Sequence, residues 1–217
     1  MRVIAGKFRS RPLASLEGQE TRPTYDRLKE TLFNVLAAAG TLDGAEFLDL
    51  FSGTGSIAIE ALSRGAAHVT LVENNRRAAR IIRDNLETLN ITDEAELLEC
   101  DVAEGLRRLR EQSRCFDVIF LDPPYRMKGA YEQVLRLVSE SATHEESAQS
   151  EAAGLNAKAS DSVPDSISTC SGLLRSGGIL IAEHEKRFDP GDGTEQLVRT
   201  RTLTQGESSL SFYRSRK

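Results

Sequence analysis

Glu46-Phe47-Leu48-Asp49-Leu50-Phe51-Ser52-Gly53-Thr54-Gly55-Ser56-Ile57-Ala58 is the stretch on which the fold turns. A short, nearly continuous apolar run ends in a glycine-rich turn, and a helical segment then runs to Ser63 and stops at Gly65. Strand, tight turn and helix in that order open a βαβ unit. Reading outward, strand-like runs at 68–73, 96–100, 116–121 and 178–183 alternate with helical segments at 75–89, 103–110 and 131–138. Upstream, Leu28, Leu32, Val35 and Leu36 mark the apolar stripe of a helix that packs on the sheet. Downstream, 196–203 and 209–214 alternate like antiparallel strands. The expectation is an α/β protein with a seven-stranded, mostly parallel sheet, covered on both faces and bearing an antiparallel edge.

A chain of 217 residues with 39% hydrophobic and 28% charged residues suits one such domain over 1–217 and excludes a fibrous or fully disordered protein. The net charge of -5 is unevenly spread. Residues 140–171 hold six acids against Lys158, with eight serines and six alanines, so they read as a disordered acidic insertion. Residues 1–34 carry seven bases and four acids, and Arg2, Lys7, Arg9 and Arg11 meet no acid before Glu17. Residues 1–22 therefore read as a basic arm or hairpin, compatible with RNA. Cys100, Cys115 and Cys170 are odd in number and lack paired spacing, which predicts reduced thiols, no zinc site and a cytoplasmic protein. No run is long enough for a membrane span, so no membrane partner is expected.

In a doubly wound sheet, ligands bind beyond the carboxyl ends of the strands. Here four strand ends carry polar groups: Asp49 with the Gly53/Gly55 loop, Glu73-Asn74, Asp101-Val102, and Asp122-Pro123-Pro124-Tyr125. Gly53, Gly55 and Ala58, with Glu73 placed 20 residues after Gly53, also satisfy the dinucleotide fingerprint, so a nicotinamide oxidoreductase is a rival. The tetrapeptide decides against it. Two prolines stiffen the turn, and an acid, a carbonyl and an aromatic ring together suit the grip of a planar group bearing an exocyclic amine. His68 and His184 lack an accompanying carboxylate or metal-ligand spacing and read as structural, so no metal is expected.

Asp49-Leu50-Phe51-Ser52-Gly53-Thr54-Gly55 together with Asp122-Pro123-Pro124-Tyr125 resembles a Rossmann-like class I S-adenosylmethionine-dependent methyltransferase acting on exocyclic amines. Arg2-Val3-Ile4-Ala5-Gly6, Thr21-Arg22-Pro23-Thr24, 26–34, 60–66, Glu183-His184 and 209–213 are similar to the RsmD family of bacterial 16S ribosomal RNA guanine-N2 methyltransferases. The insertion is a departure from that pattern. The resemblance implies that Asp49, Gly53 and Gly55 hold the methionine part of the cofactor, Glu73 with Asn74 its ribose, and Asp101 with Val102 its adenine. It implies a target guanine held by Asp122, Pro123 and Tyr125. It also implies 16S ribosomal RNA or the small subunit as partner; Arg2, Lys7, Arg9, Arg11 and Arg22 are the bases expected to meet the RNA, and a monomer is expected. Read from its residues alone, Asp101 serves equally as a helix cap. Adenine N6 in DNA and glutamine in proteins are alternative targets of the same tetrapeptide, and a non-catalytic RNA-binding module is the alternative of another class.

Overall fold

A computed structural model of the chain describes residues 1–16, 23–140, 170 and 172–216. Arg22 and almost all of the 140–171 insertion lie outside the described residues.

The elements in chain order are α1 (Pro23–Ala38), β1 (Glu46–Leu50), α2 (Ser56–Ser63), β2 (His68–Val72), α3 (Arg76–Leu89), β3 (Ala95–Leu98), α4 (Val102–Glu111), β4 (Phe116–Leu121), α5 (Gly129–Ser139), β5 (Leu174–Glu185), β6 (Leu197–Gln205) and β7 (Ser208–Ser215). The sheet has seven strands in the order β3-β2-β1-β4-β5-β7-β6. The first five are parallel, and β7 and β6 complete the edge antiparallel. This is the Rossmann-like arrangement expected, and its strand order reverses between β1 and β4. A crevice opens there because the crossover helices leave to opposite faces.

Strand alternation divides the core into two layers. Phe47, Val69, Val118, Phe120, Ile181 and Phe212 pack on one face with Leu32 and Phe33 of α1, the apolar side of α2, and Ile82 of α3. Leu48, Leu50, Ile119, Leu121, Leu180 and Tyr213 pack on the other with α4 and α5. Helix α2 is buried along its whole length. Asn75 caps α3 and Asp101 caps α4, each accepting from backbone N–H groups of the first turn.

Residues 1–16 fold back on α2. Val3 and Arg11 approach as a short antiparallel pair, and Leu13 N–H donates to the Met1 carbonyl at 2.9 Å. The buried Glu60 carboxylate accepts from Ile4 N–H at 2.7 Å and Ala5 N–H at 2.9 Å. It also pairs with Arg64 at 2.7 Å and with the buried Lys29 ammonium at 3.8 Å. Burial lowers the Lys29 pKa, and the Glu60 charge opposes that shift. Gly6 has φ +81°, and a Cβ there would lie 1.8 Å from the Ser63 carbonyl oxygen, so only glycine allows this approach.

One expectation is overturned. Cys115 and Cys170 form a disulfide with a Cα–Cα distance of 6.4 Å, where unpaired thiols were expected. Their separation of 55 positions hides a tertiary neighbourhood. Cys115 leads into β4 and Cys170 precedes β5, and the pairing of Phe116 with Leu174 draws the two together. Cys100 is free.

Candidate active site

The parallel register sets Asp49 opposite Leu71 on β2 and opposite Phe120 on β4, and Leu121 opposite Ala182 on β5. Side chains two residues apart share a face. Asp49, Glu73, Asp122 and Glu183 therefore project from the carboxyl ends of four adjacent strands on the face that carries α2 and α3. Asp122 N–H still donates to the Leu50 carbonyl at 3.4 Å, so Asp122 continues the ladder before the prolines end it.

Between β1 and α2 the backbone is held in unusual conformations. Phe51 has φ +61°, rare for a bulky residue. The Ser52 hydroxyl stabilises the turn by donating to the Asp49 carbonyl at 2.7 Å and accepting from Val72 N–H at 3.1 Å. Gly53 and Gly55 both have positive φ. A Cβ on Gly53 would meet nothing within 4 Å, so that side of the loop is open to a ligand. Glu73 bridges the loop to α3, accepting from Gly53 N–H at 2.7 Å and from Asn75 N–H at 2.7 Å. Asp49, only 2% exposed, accepts from Ala58 N–H at 3.2 Å in the first turn of α2.

The electrostatics are one-sided. Burial pushes the Asp49 carboxyl well up from the usual carboxylate range, and the charges of Asp122 and Glu73 add to that shift. Burial raises Asp122 to about 7. Glu183 is pushed up by burial and by the neighbouring Asp122. Among the described residues, no cationic side chain shifts these three acids. Such a pocket suits a ligand that carries positive charge on its reacting side and disfavours a pyrophosphate. A group bearing both an ammonium and a sulfonium fits these acceptors, and a pyrophosphate does not.

Pro123 is buried, while the Tyr125 ring is 55% exposed at the rim of the site. Met127 is exposed two residues on. Asn74 is exposed beside Glu73, Val102 is buried, and Asp101 accepts from Ala103 N–H at 2.9 Å. Arg2, Lys7, Arg9 and Arg11 are all exposed on the arm. The Met1 sulfur lies 3.7 Å from the Thr54 hydroxyl, so the arm begins at the glycine loop. His184 is buried between the Ser211 hydroxyl and the Glu185 carbonyl, each at 2.9 Å. His68, expected without a carboxylate, lies 3.7 Å from Glu46, because both residues start neighbouring strands at the far end of the sheet.

Residues 1–151 match the family described as "Conserved hypothetical protein 95". The Ribosomal RNA small subunit methyltransferase D of Haemophilus influenzae is 42% identical over 141 residues, covering 64% of this chain and 71% of the relative. The chain belongs to the RsmD family of methyltransferases. Among solved structures, the Haemophilus influenzae protein HI0767 superposes with a TM-score of 0.70 at 28% identity, covering 100% of this chain and 99% of that one. The Thermus thermophilus 16S rRNA N2 G1207 methyltransferase RsmC, solved with AdoMet and guanosine, shares the fold at a TM-score of 0.61 and 19% identity, covering 93% of this chain and 45% of that one. The RsmD frame contains every strand end singled out in the sequence. Glu183, which the sequence offers only as part of the family-like Glu183-His184 pair, is a fifth such acid: it closes the apolar run Ile179-Leu180-Ile181-Ala182 much as Asp122 closes 118–121.

The raised Asp122 pKa has a consequence for stability. Between about pH 4 and 7 the folded chain holds this proton more tightly than the unfolded chain, so stability falls as pH rises through that window. Asp122→Asn removes the proton linkage. Its melting temperature should exceed that of the parent by about 5 °C at pH 8, and the gain should vanish near pH 4. Thermal melts at the two pH values check this, and an equal gain at both would show that Asp122 ionisation is not responsible.

Proposed function

We propose that this chain transfers a methyl group from S-adenosylmethionine to the exocyclic N2 of an unpaired guanine in small-subunit ribosomal RNA. The observation that carries the reading is the placement of Asp122-Pro123-Pro124-Tyr125 on β4, across the switch point from the Asp49 and Gly53/Gly55 loop on β1. Family membership supports a ribosomal RNA methyltransferase. The tetrapeptide supports an exocyclic amine as the acceptor, and the N2 position of guanine is supported by the substrate named for the RsmC neighbour.

S-adenosylmethionine supplies a methyl group already activated on a sulfonium, so the protein has to align an amine more than to activate it. Asp49 suits the cofactor's ammonium, and the open N-terminus of α2 suits its carboxylate. Glu73 and Asn74 are positioned for ribose hydroxyls, and Asp101 with Val102 for adenine. Asp122 and the Pro123 carbonyl each accept one N–H of the guanine amine and stabilise the positive charge that grows on nitrogen. A carboxyl that titrates at about 7 then takes up the departing proton. Tyr125 offers its exposed ring to the base, worth roughly 1–3 kcal/mol of stacking. A paired guanine cannot reach this pocket, so the base must be unpaired or flipped out.

The deciding experiment is transfer of radiolabelled methyl to unmodified 16S ribosomal RNA, naked and assembled into the small subunit, followed by nucleoside identification. Label in N2-methylguanosine is the expected result. Label in N6-methyladenosine or in protein glutamine, or none despite cofactor binding, would overturn the guanine assignment.

The arm gives a second expectation. Arg2, Lys7, Arg9 and Arg11 stand exposed on an arm that begins at the glycine loop and reaches Ser63 at the far end of α2, as phosphate-binding cations would. Replacing all four by Ala should flatten the dependence of log affinity on log salt by about 3, at roughly 0.7 per single-strand phosphate contact. Filter binding across a salt series measures this. An unchanged slope removes the arm from RNA binding.

A further inference from the structure

The tetrapeptide leaves the choice of base open, because adenine and guanine both carry an exocyclic amine. The neighbouring strand supplies what is missing. With Leu121 opposite Ala182, Asp122 and Glu183 stand side by side at the ends of β4 and β5, about 4.8 Å apart in backbone spacing. Glu183 is 6% exposed, and Ser208 at the start of β7, the strand that pairs with β5, is close enough to draw its raised pKa partly back down. Ser208 acts in the same direction on the Tyr125 phenol, which the charges of Glu183 and Asp122 push up, so the three side chains border one pocket. Among the described residues no cation shifts Glu183. A buried acid left in that state costs stability and serves no packing purpose that a Gln or Leu would not serve better.

We propose that Glu183 is the specificity-determining residue of the base pocket, accepting the N1–H of the target guanine while Asp122 accepts from the N2 amine. This rests on the guanine-N2 reading above and extends it to the selection of the base. Guanine presents N1–H and N2–H as adjacent donors, and two adjacent acceptors match them. Adenine presents its amine beside an N1 lone pair, which would face the Glu183 oxygen with no hydrogen between them. A carboxyl group offers an acceptor oxygen in either protonation state, so the match to guanine holds in both, while rejection of an N1 lone pair requires that the Glu183 oxygen facing N1 carry no hydrogen.

The test uses the full chain and small-subunit RNA carrying either guanosine or 2-aminopurine at the nucleotide labelled in the first experiment. 2-Aminopurine keeps the amine at C2, replaces N1–H by a lone pair and lacks the O6 carbonyl, so the change of preference in the Glu183 variants is what isolates the N1 contact. The parent enzyme should prefer guanosine by about 100-fold in kcat/KM, since a site built to accept a hydrogen bond rejects the analogue lacking the donor. In Glu183→Gln the amide can accept from guanine or donate to 2-aminopurine, so the preference should fall below about 5-fold. Glu183→Asp keeps the carboxylate and should keep at least about a third of the parent preference. Parent methylation of both RNAs within threefold overturns the inference, as does an unchanged preference in Glu183→Gln. Should Glu183→Gln be inactive on both RNAs, loss of preference in Glu183→Asp overturns it and retention supports it. Absence of N2-methylguanosine from the guanosine RNA marks failure of the underlying reading and removes the inference with it.

Discussion

Asp122→Ala is expected to lower turnover about 1,000-fold while leaving S-adenosylmethionine affinity within about threefold of the parent. Asp122 lies on β4, whereas the loop assigned to the cofactor's methionine part lies on β1 and is held by Asp49, Ser52 and Glu73. Removing Asp122 takes away an acceptor for the amine and a stabiliser of the charge that forms on it, but no hydrogen bond of the glycine loop. It also relieves Asp49 of a neighbouring negative charge, so cofactor binding should not suffer from misfolding of the loop. Single-turnover methyl transfer and calorimetric titration of the cofactor separate the two effects. Near-full turnover would show that the acid does not grip the amine, and a matching loss of cofactor affinity would move Asp122 from the base pocket to the cofactor pocket.

Glu60→Ala carries the largest expected stability loss, about 3–5 kcal/mol, or a melting temperature roughly 10 °C lower. The substitution leaves the buried Lys29 ammonium without its carboxylate and orphans the N–H groups of Ile4 and Ala5. Because those N–H groups belong to the arm, the same change should release residues 1–16 from α2 and expose them to protease. Lys29→Met should cost much less, since Glu60 keeps Ile4, Ala5 and Arg64 as partners. Thermal melts with limited proteolysis test the ranking. A Lys29→Met loss equal to that of Glu60→Ala would mean that the ion pair, not the anchoring of the arm, holds this region together.

These two sites differ in how visible they were beforehand. Asp122 announced itself because it ends an apolar run and is followed by two prolines, a pattern with few other uses. Glu60 sits in the middle of a short buried helix, where an acid gives no local signal. Its partners lie 31, 55 and 56 positions away, and only chain reversal at Gly6 brings the arm within hydrogen-bonding reach. Cys115 and Cys170 are the same kind of case, joined by strand pairing and not by spacing. Asp101 shows the limit of a local pattern: its side chain caps α4, a role its position after a strand predicts as readily as cofactor binding.

The sequence by itself determined the alternation of strands and helices, the antiparallel edge, the glycine loop and the acids at the strand ends, because each depends on neighbours within a few residues. Periodicity, turn chemistry and proline stiffness are local properties. Which acids share a face, and that Glu183 stands beside Asp122, came from the assembled sheet alone. Those features follow from strand order and register, which are set by packing between segments far apart in the chain.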